Sequence, residues 1–297
     1  MDVSAPVPPL PIKTVIYATD FSEFSHKAGS YASLFAKQFN ADFLAAHAFM
    51  LSSAAMEVEA EDGRQEKSAQ RTDLEATLAA EAKRFGAGAK SAVPLLVEGD
   101  PREAIPRLAQ EKAPSLTVLG TQGRGRMLRG IVGSVAERIL RATDGPSLTV
   151  GPVVPAGEPH GSSIRRILYA TGISQIAARG APYAVAMAHT FSASLDVLHV
   201  IRPDDRADHE RFAEIQTQFR ATIEEMAPDH TDAMLNPKGV VEVGSAHDRI
   251  LEYLHAHQVD LLVLSVRKSS HLWLQSRLSG AFHIIANAPC PVMTLTG

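Results

Sequence analysis

Apolar runs of strand length alternate with helical patterns along the chain. In the first half, strand patterns occur at KTVIYAT, DFLAAHAF, AKSAVPLLVEG and SLTVLG. Helical patterns lie between them, over about 22–38, 63–85 and 101–111. Strands that alternate with helices predict an α/β fold, with a parallel sheet joined by right-handed crossovers. Near-continuous apolar strands such as SLTVLG are typical of a sheet that helices cover on both faces.

The second half repeats the pattern of the first. The segment that begins at Lys13 matches, without a gap, the segment that begins at Arg165, and YAT occurs at both 17–19 and 169–171. Further along, VEGDPREAIPRLAQEKAPSLTVLG matches VEVGSAHDRILEYLHAHQVDLLVLS. Each copy has about the modal size of a domain and is too large for a solenoid repeat. The chain is therefore predicted to be a tandem duplication.

The duplication predicts two domains with a short linker between them. Residues 151–164, GPVVPAGEPHGSSI, are rich in Gly and Pro, as linkers often are. We expect a first domain over 10–152, a linker over 153–163 and a second domain over 164–297.

A glycine-punctuated loop follows the fourth strand of the first copy. In LTVLGTQGRGRMLRGIVGS, Gly120, Gly123, Gly133 and Ser134 form the pattern G-x2-G-x9-G-S. Glycine lets a backbone approach a ligand closely and adopt positive φ, where a side chain would clash. A helix that begins at Gly133 and Ser134 would direct its free N–H groups and positive dipole end at the loop, an arrangement that binds phosphate. The loop predicts a nucleotide site.

Two other segments are expected at the same edge of the sheet. In open parallel sheets, ligands bind outside the carboxyl ends of the strands, at the topological switch point. Asp20 follows the first strand, Ala48 follows the second and residues 120–134 follow the fourth. Their convergence on one crevice is stronger support for a ligand site than the glycine spacing alone.

Composition narrows the class of protein. The net charge of −4 and the pI of about 6.3 provide no global basic field that would recruit nucleic acid or a membrane. No apolar run approaches the roughly 18 residues of a membrane span, and the N-terminus does not have the pattern of a signal peptide. Cys290, the single cysteine, excludes an intramolecular disulfide and is expected to be a packed thiol. We expect a soluble, cytoplasmic protein.

With these motifs, the chain resembles the universal stress proteins. YATDFSEFSHKA is similar to the opening strand and helix of that family, and GTQGRGRMLRGIVGS is similar to its G-x2-G-x9-G-S/T nucleotide loop. The resemblance covers both copies. It implies two tandem domains, each a five-stranded parallel α/β sheet with helices on both faces, of the adenine-nucleotide hydrolase-like group. In this family, the ATP-binding members carry the loop and the others lack it.

The resemblance also implies roles for individual residues. It places Asp20 at the adenosine part of the nucleotide, the Ala48 backbone at the adenine edge and Gly120 near the ribose. The residues implied around the phosphates are Gly123, Gly133 and Ser134. Backbone N–H groups and a hydroxyl bind oxyanions, and a carboxylate accepts hydrogen bonds from sugar hydroxyls, so the chemistry agrees.

Thr19 and Arg124 complete the set of expected nucleotide contacts. Thr19 precedes Asp20, and Arg124 lies inside the glycine loop with Arg126 and Arg129. These arginines are expected to face either phosphate or solvent. The expected ligand is ATP with Mg²⁺; ADP and AMP stay open, because the loop recognises phosphate generically.

The second copy departs from the motif at nearly every position. Its counterparts of Asp20, Gly120, Gly123, Gly133 and Ser134 are Gly172, Ser265, Lys268, Leu278 and Ser279. Leu278 and Lys268 would prevent a close approach of the backbone to a ligand. We therefore expect the second domain to keep the fold and to lack this mode of ATP binding.

Histidine and tryptophan positions add two further expectations. His47 and His199 end the second strands of the two copies without neighbours at metal-ligand spacing, which favours structural roles. Trp273 stands between two leucines in the degenerate loop of the second copy, where it either packs internally or contacts a partner.

Single-domain relatives commonly dimerise through the last strand, so SLTVGPV and PVMTLTG are expected to pair or to mediate self-association.

The sequence favours a nucleotide-dependent sensor or regulator of the stress response, acting through unknown protein partners. The first alternative is a slow ATPase or an autophosphorylating enzyme. Against it, the chain has no Walker GxxxxGK[ST] motif and no convincing general base beside the loop. The second alternative is an interaction scaffold with an empty loop, against which the intact glycines of the first copy weigh.

Overall fold

The computed structural model describes residues 12–50, 61–123, 131–155, 164–172, 180–226, 237–266 and 278–296. Contacts divide the chain into two compact units, one mainly of residues 12–123 with 133–147 and the other mainly of residues 148–297. This division falls inside a strand, after Ser147. The domain limits expected at 152 and 164 describe the sequence repeat and stay predictions.

The first repeat alternates strands and helices as predicted. Its elements are β1 (Thr14–Ala18), α1 (Glu23–Gln38), β2 (Asp42–Phe49), α2 (Glu61–Phe85), β3 (Ser91–Glu98), α3 (Pro101–Glu111), β4 (Ser115–Gly120), α4 (Ser134–Ala142) and β5 (Gly145–Val150). Along the sheet, the strands are ordered β3-β2-β1-β4-β5. β1 pairs in parallel with both β2 and β4, and β2 pairs in parallel with β3.

The second repeat has the same strand order. Its elements are β6 (Arg166–Ala170), α5 (Ala181–Phe191), β7 (Ser194–Ile201), α6 (Pro203–Ala207), α7 (His209–Met226), β8 (Lys238–Val243), α8 (Ala246–Ala256), β9 (Leu261–Val266), α9 (Leu278–Asn287) and β10 (Val292–Thr296). Its strands are ordered β8-β7-β6-β9-β10, and β6 pairs in parallel with β7 and β9. The predicted α/β architecture with parallel sheets is confirmed.

The central strands of the two repeats bury equivalent side chains. Tyr17 in β1 and Tyr169 in β6 are both fully inaccessible to solvent. Other buried residues of these strands are Val15, Ile16, Ile167 and Leu168. Such strands read as continuous apolar runs because both faces of the sheet are covered. Among the described helices, none combines the length and the apolarity that a bilayer crossing requires.

Polar residues cap two helices of the first repeat, α1 and α3. The Ser22 hydroxyl caps α1 by accepting a hydrogen bond from the Ser25 amide (3.2 Å). Asp100 caps α3 by accepting from the Arg102 amide (2.9 Å), and Pro101 occupies the first helical position. Each cap satisfies an amide that the helix itself leaves unpaired. The α1 cap matters for the site, because it fixes the loop that leaves β1.

Candidate functional site

The loop between β1 and α1 presents Asp20 at the carboxyl edge of the sheet. Phe21 has a φ of 61°, a left-handed conformation that is uncommon for a residue with a side chain. Two local hydrogen bonds hold it there: the Phe21 amide donates to Thr19 Oγ1 (3.0 Å), and the Ser22 amide donates to Asp20 Oδ1 (3.0 Å). The Asp20 carboxylate is therefore fixed, half-buried, by the backbone that follows it.

Gly123 lies directly against the Asp20 carboxylate. A Cβ atom built on Gly123 would stand only 2.6 Å from Asp20 Oδ2. Any side chain at position 123 would therefore collide with the carboxylate or displace it. The structure brings these two predicted site residues together, although 103 positions of sequence separate them.

Gly120 is required by packing against α1. A Cβ atom there would approach the Phe24 carbonyl oxygen at 3.1 Å and the Ser25 amide nitrogen at 3.3 Å. Positive φ is not found at the described loop glycines Gly120, Gly123 and Gly133. These glycines instead permit close approach between backbones.

Gly133 closes the loop and begins α4, as predicted. Its N–H donates to the Thr121 carbonyl (2.7 Å), and its φ of −62° and ψ of 145° place it as the N-cap residue. The N-cap residue, Gly133, has no side chain that could accept from the first amides of α4, and the positive end of the helix dipole lies there. Ser134, the first helical residue, is exposed.

Ala48 lies level with Asp20 at the same edge. β1 and β2 pair in register up to Ala18 and Ala46, so Asp20 and Ala48 each lie two residues beyond this last paired position. The expectation that Ala48 follows the strand is wrong, because β2 continues to pair with β3 through Phe49. The half-buried Ala48 therefore has its backbone fixed by the sheet.

His47 joins β2 to the β1–α1 loop. Its Nδ1 lies 2.7 Å from the Thr19 carbonyl oxygen, which accepts only, so this nitrogen carries the proton. Its ring also packs on Phe21, with the centroids 4.4 Å apart. In the second repeat, His199 Nδ1 makes the equivalent bond to the Thr171 carbonyl (2.9 Å), and burial lowers the pKa of His199. Both geometries are those of structural histidines.

A buried carboxylate behind the loop was missed by the sequence reasoning. Glu81 of α2 is 7% exposed, and its Oε2 accepts hydrogen bonds from the hydroxyls of Tyr17 (2.9 Å) and Thr19 (3.0 Å). Its Oε1 lies 2.6 Å from His26 Nε2. Burial, together with the nearby Glu81 charge, raises the pKa of Tyr17 far above its usual value. The signal was present, because Glu81 shares the helical face of the buried Leu78.

Thr19 faces inward and not towards the open edge. The residue is 6% exposed, and its hydroxyl contacts Glu81, the Phe21 amide and Ser25 Oγ. Its contribution to a ligand site is therefore to hold Asp20 and Phe21 in place. Five residues that the sequence singled out lie outside the described residues: Arg124, Arg126, Arg129, Lys268 and Trp273.

The second repeat lacks the acidic group at the matching edge. Gly172 occupies the position of Asp20, and the Thr171 hydroxyl donates to the Tyr169 hydroxyl (3.2 Å). Ser265, at the position of Gly120, lies where a side chain on Gly180 would collide with it.

Cys290 is buried, and burial raises the pKa of its thiol, which confirms a packed and not a reactive cysteine.

Comparisons with known proteins agree with the geometry. The profile of the universal stress protein family matches residues 11–151 and, a second time, residues 163–295. The chain belongs to the universal stress protein family. Its two matches confirm the tandem arrangement of universal stress protein domains. No curated protein is similar enough in sequence to provide a further relative.

Solved structures share the fold over almost the whole chain. A universal stress protein from Archaeoglobus fulgidus DSM 4304 is similar with a TM-score of 0.72 and 18% identity, covering 96% of this chain and 99% of its own. A functionally unknown protein from Pseudomonas aeruginosa PAO1 is similar with a TM-score of 0.64 and 14% identity, covering 97% and 93%. At these identities, the likeness establishes the fold alone.

Proposed function

We propose that the first repeat binds an adenine nucleotide, ATP in the first place, at the carboxyl edge of its sheet. One continuous set of contacts supports this most. Asp20 touches Gly123, Gln122 precedes Gly123, and a Cβ on Gly133 would lie 4.0 Å from Gln122 Cα. The carboxylate and the uncapped N-terminus of α4 thus border the same crevice, and both positions match the nucleotide motif of the family.

The chemistry of this crevice suits the two ends of a nucleotide. Asp20 offers a fixed carboxylate that can accept hydrogen bonds from ribose hydroxyls. The amides at the start of α4, with the Ser134 hydroxyl, provide donors and positive potential for phosphate oxygens. Arg124 adds positive charge within the loop. The described residues contain no cluster of metal ligands, so Mg²⁺ would arrive coordinated by the phosphates of ATP, as it often does.

In this proposal, the nucleotide acts as a signal that partner proteins read as bound or free. The second repeat supports the fold without a matching site, since Gly172 replaces the carboxylate. ADP or AMP would occupy the same crevice with fewer phosphate contacts. Self-association through the last strands of the repeats would couple occupancy to assembly.

Direct identification of the ligand tests the proposal. The freshly purified full chain is denatured, and released nucleotide is identified by mass spectrometry and counted per chain. We expect about one adenine nucleotide per chain, and none from Gly133→Leu, because a Cβ there would already stand 3.2 Å from the Thr121 carbonyl oxygen. Ser279→Ala serves as the control. Ser279 is the second-repeat counterpart of Ser134, and its substitution should leave the nucleotide count unchanged. No nucleotide in the wild type, followed by no binding of added Mg·ATP, would refute the proposal, and two per chain would refute a single site.

An ATPase is the second candidate, and the geometry of Glu137, the acidic residue of α4, weighs against it. Glu137, one turn into the helix, is bound by Arg141 (Nε to Oε1, 3.0 Å) and is not poised as a general base. We therefore expect turnover well below about 1 s⁻¹, the low end for ordinary enzymes. A rate above that value, lost in Asp20→Asn, would favour the enzyme.

A further inference from the structure

Glu81 is a buried acid with no role in the contacts proposed above. It is the only acidic side chain in the described part of the chain that is buried. An ionised carboxylate is unfavourable in a protein interior unless donors surround it. Tyr17, Thr19 and His26 supply them, so the carboxylate is satisfied on both oxygens.

The contacts of Glu81 lead directly to the proposed nucleotide site. Its Oε2 accepts from the Thr19 hydroxyl, and Thr19 Oγ1 in turn accepts from the Phe21 amide. Phe21 holds the left-handed conformation that turns the chain immediately after Asp20. A residue with a Cβ occupies this conformation only where its surroundings enforce it. Glu81 therefore orients the hydroxyl that stabilises the strained turn beside Asp20.

The second repeat provides an internal comparison. It keeps the two hydroxyls as Tyr169 and Thr171, which bond to one another. The helix that corresponds to α2 is α7, and its buried side chains are apolar: Ile215, Phe219 and Met226. The described acidic residues of α7, Glu210, Glu214 and Glu224, are exposed. Among the side chains that the structure describes, a buried acid thus occurs in the repeat that keeps Asp20 and the glycine loop, and none occurs in α7.

From these contacts we infer that Glu81, paired with His26, is a positioning residue for the nucleotide site. It sets nucleotide affinity without touching the ligand, by holding Thr19 and Phe21 in the conformation that presents Asp20. The inference rests on the proposed function. It goes further by assigning an affinity-determining role to a helix that lies behind the sheet edge.

Two substitutions at Glu81 distinguish the effect of its hydrogen-bond acceptors from the effect of its side-chain volume. Glu81→Leu keeps side-chain volume and removes both acceptors, whereas Glu81→Gln keeps one acceptor oxygen for the hydroxyls of Tyr17 and Thr19. Thr19→Val removes only the hydroxyl that connects Glu81 to the Phe21 amide. It tests the same inference if Glu81→Leu does not fold. Thr171→Val is the matched control, because it removes the equivalent hydroxyl from the second repeat.

Calorimetric titration of nucleotide-stripped full chain with Mg·ATP provides the first readout. We expect Glu81→Leu and Thr19→Val to weaken binding by about tenfold, and Glu81→Gln and Thr171→Val to stay within about twofold of wild type. Hydrogen exchange in the nucleotide-free chain provides the second: amides 19–25 should exchange about tenfold faster in the first two variants only.

The outcomes separate this inference from the proposed function. Wild-type binding with unchanged affinity in Glu81→Leu and Thr19→Val would overturn the inference and leave the proposed function standing. If the wild type binds no nucleotide, the proposed function and the affinity role fail together. Unchanged exchange at 19–25 would then also overturn the role of Glu81 in holding the loop, whereas faster exchange would support it. Destabilisation without either effect would make Glu81 a purely structural residue.

Discussion

The contact between Gly123 and Asp20 predicts the effect of a single methyl group. In Gly123→Ala, the new Cβ would start 2.6 Å from Asp20 Oδ2, whereas ordinary contacts begin at 3.4 Å. The carboxylate must therefore withdraw by about 0.8 Å, the difference between these distances. Asp20 cannot withdraw freely, because its Oδ1 accepts from the Ser22 amide at 3.0 Å.

Two energies follow from this displacement. Weakening the bond between Asp20 and Ser22 should lower the free energy of unfolding by about 1 kcal/mol, the usual net value of a hydrogen bond. Moving the carboxylate away from the ribose should remove a charge-assisted hydrogen bond, about 1.5–3 kcal/mol, so the dissociation constant of ATP should rise by about 10- to 100-fold. Binding should thus be far more sensitive to this change than stability.

Calorimetric titration and urea unfolding measure the two quantities on the same protein. Gly280→Ala is a suitable control, because a Cβ at Gly280 in α9 would meet nothing within 4 Å and alanine favours a helix. It should leave ATP affinity unchanged and slightly raise stability. An affinity of Gly123→Ala within twofold of wild type would show that Asp20 does not bind the ligand, or that the carboxylate moves without consequence.

Three further predictions concern groups away from the crevice. Tyr17→Phe should lower the free energy of unfolding by about 1–3 kcal/mol, because it removes a donor from a buried carboxylate. Tyr169→Phe should lower the free energy of unfolding by less, because the partner of Tyr169 is a hydroxyl. Equal decreases for the two variants in urea unfolding would contradict this reasoning. Cys290 should react with iodoacetamide at neutral pH only as fast as the chain unfolds, since burial raises the pKa of its thiol; rapid labelling of the native chain would refute its burial. Hydrogen bonds from Arg102 lower the pKa of Asp100 to about 2. The contribution of Asp100 to stability is therefore present above about pH 4 and is lost as the pH falls towards 2. If wild type and Asp100→Asn show the same dependence of stability on pH in this range, the result would count against this bond.

The sequence predicted the parts of the site that chain order controls. Asp20 and the glycine loop follow strands that lie side by side in a parallel sheet, so their meeting follows from topology. Gly133 and Ser134 begin a helix because a glycine-rich turn precedes a strongly amphipathic segment. In each case, a local pattern and one general rule of sheet architecture were sufficient.

The sequence could not predict features that depend on contacts between distant side chains. The helical period places Glu81 on the face of the buried Leu78, but it does not show that this face meets Tyr17, 64 residues away. Phe21 adopts a left-handed conformation because Thr19 and His47 hold it there. Pairwise contacts of this kind leave no periodic signal in the sequence.

The closure of the glycine loop has a consequence for engineering. Gly133 is joined to Thr121 through main-chain atoms alone, so the hydrogen bond that fixes both ends of the loop does not depend on the side chains between them. The point at which the chain returns to begin α4 can therefore be kept while the sequence between Thr121 and Gly133 changes, provided that Gly123 and the buried Gln122 and Val132 are retained. If the proposed function holds, substitutions at the remaining loop positions should change what the crevice binds with little effect on the fold.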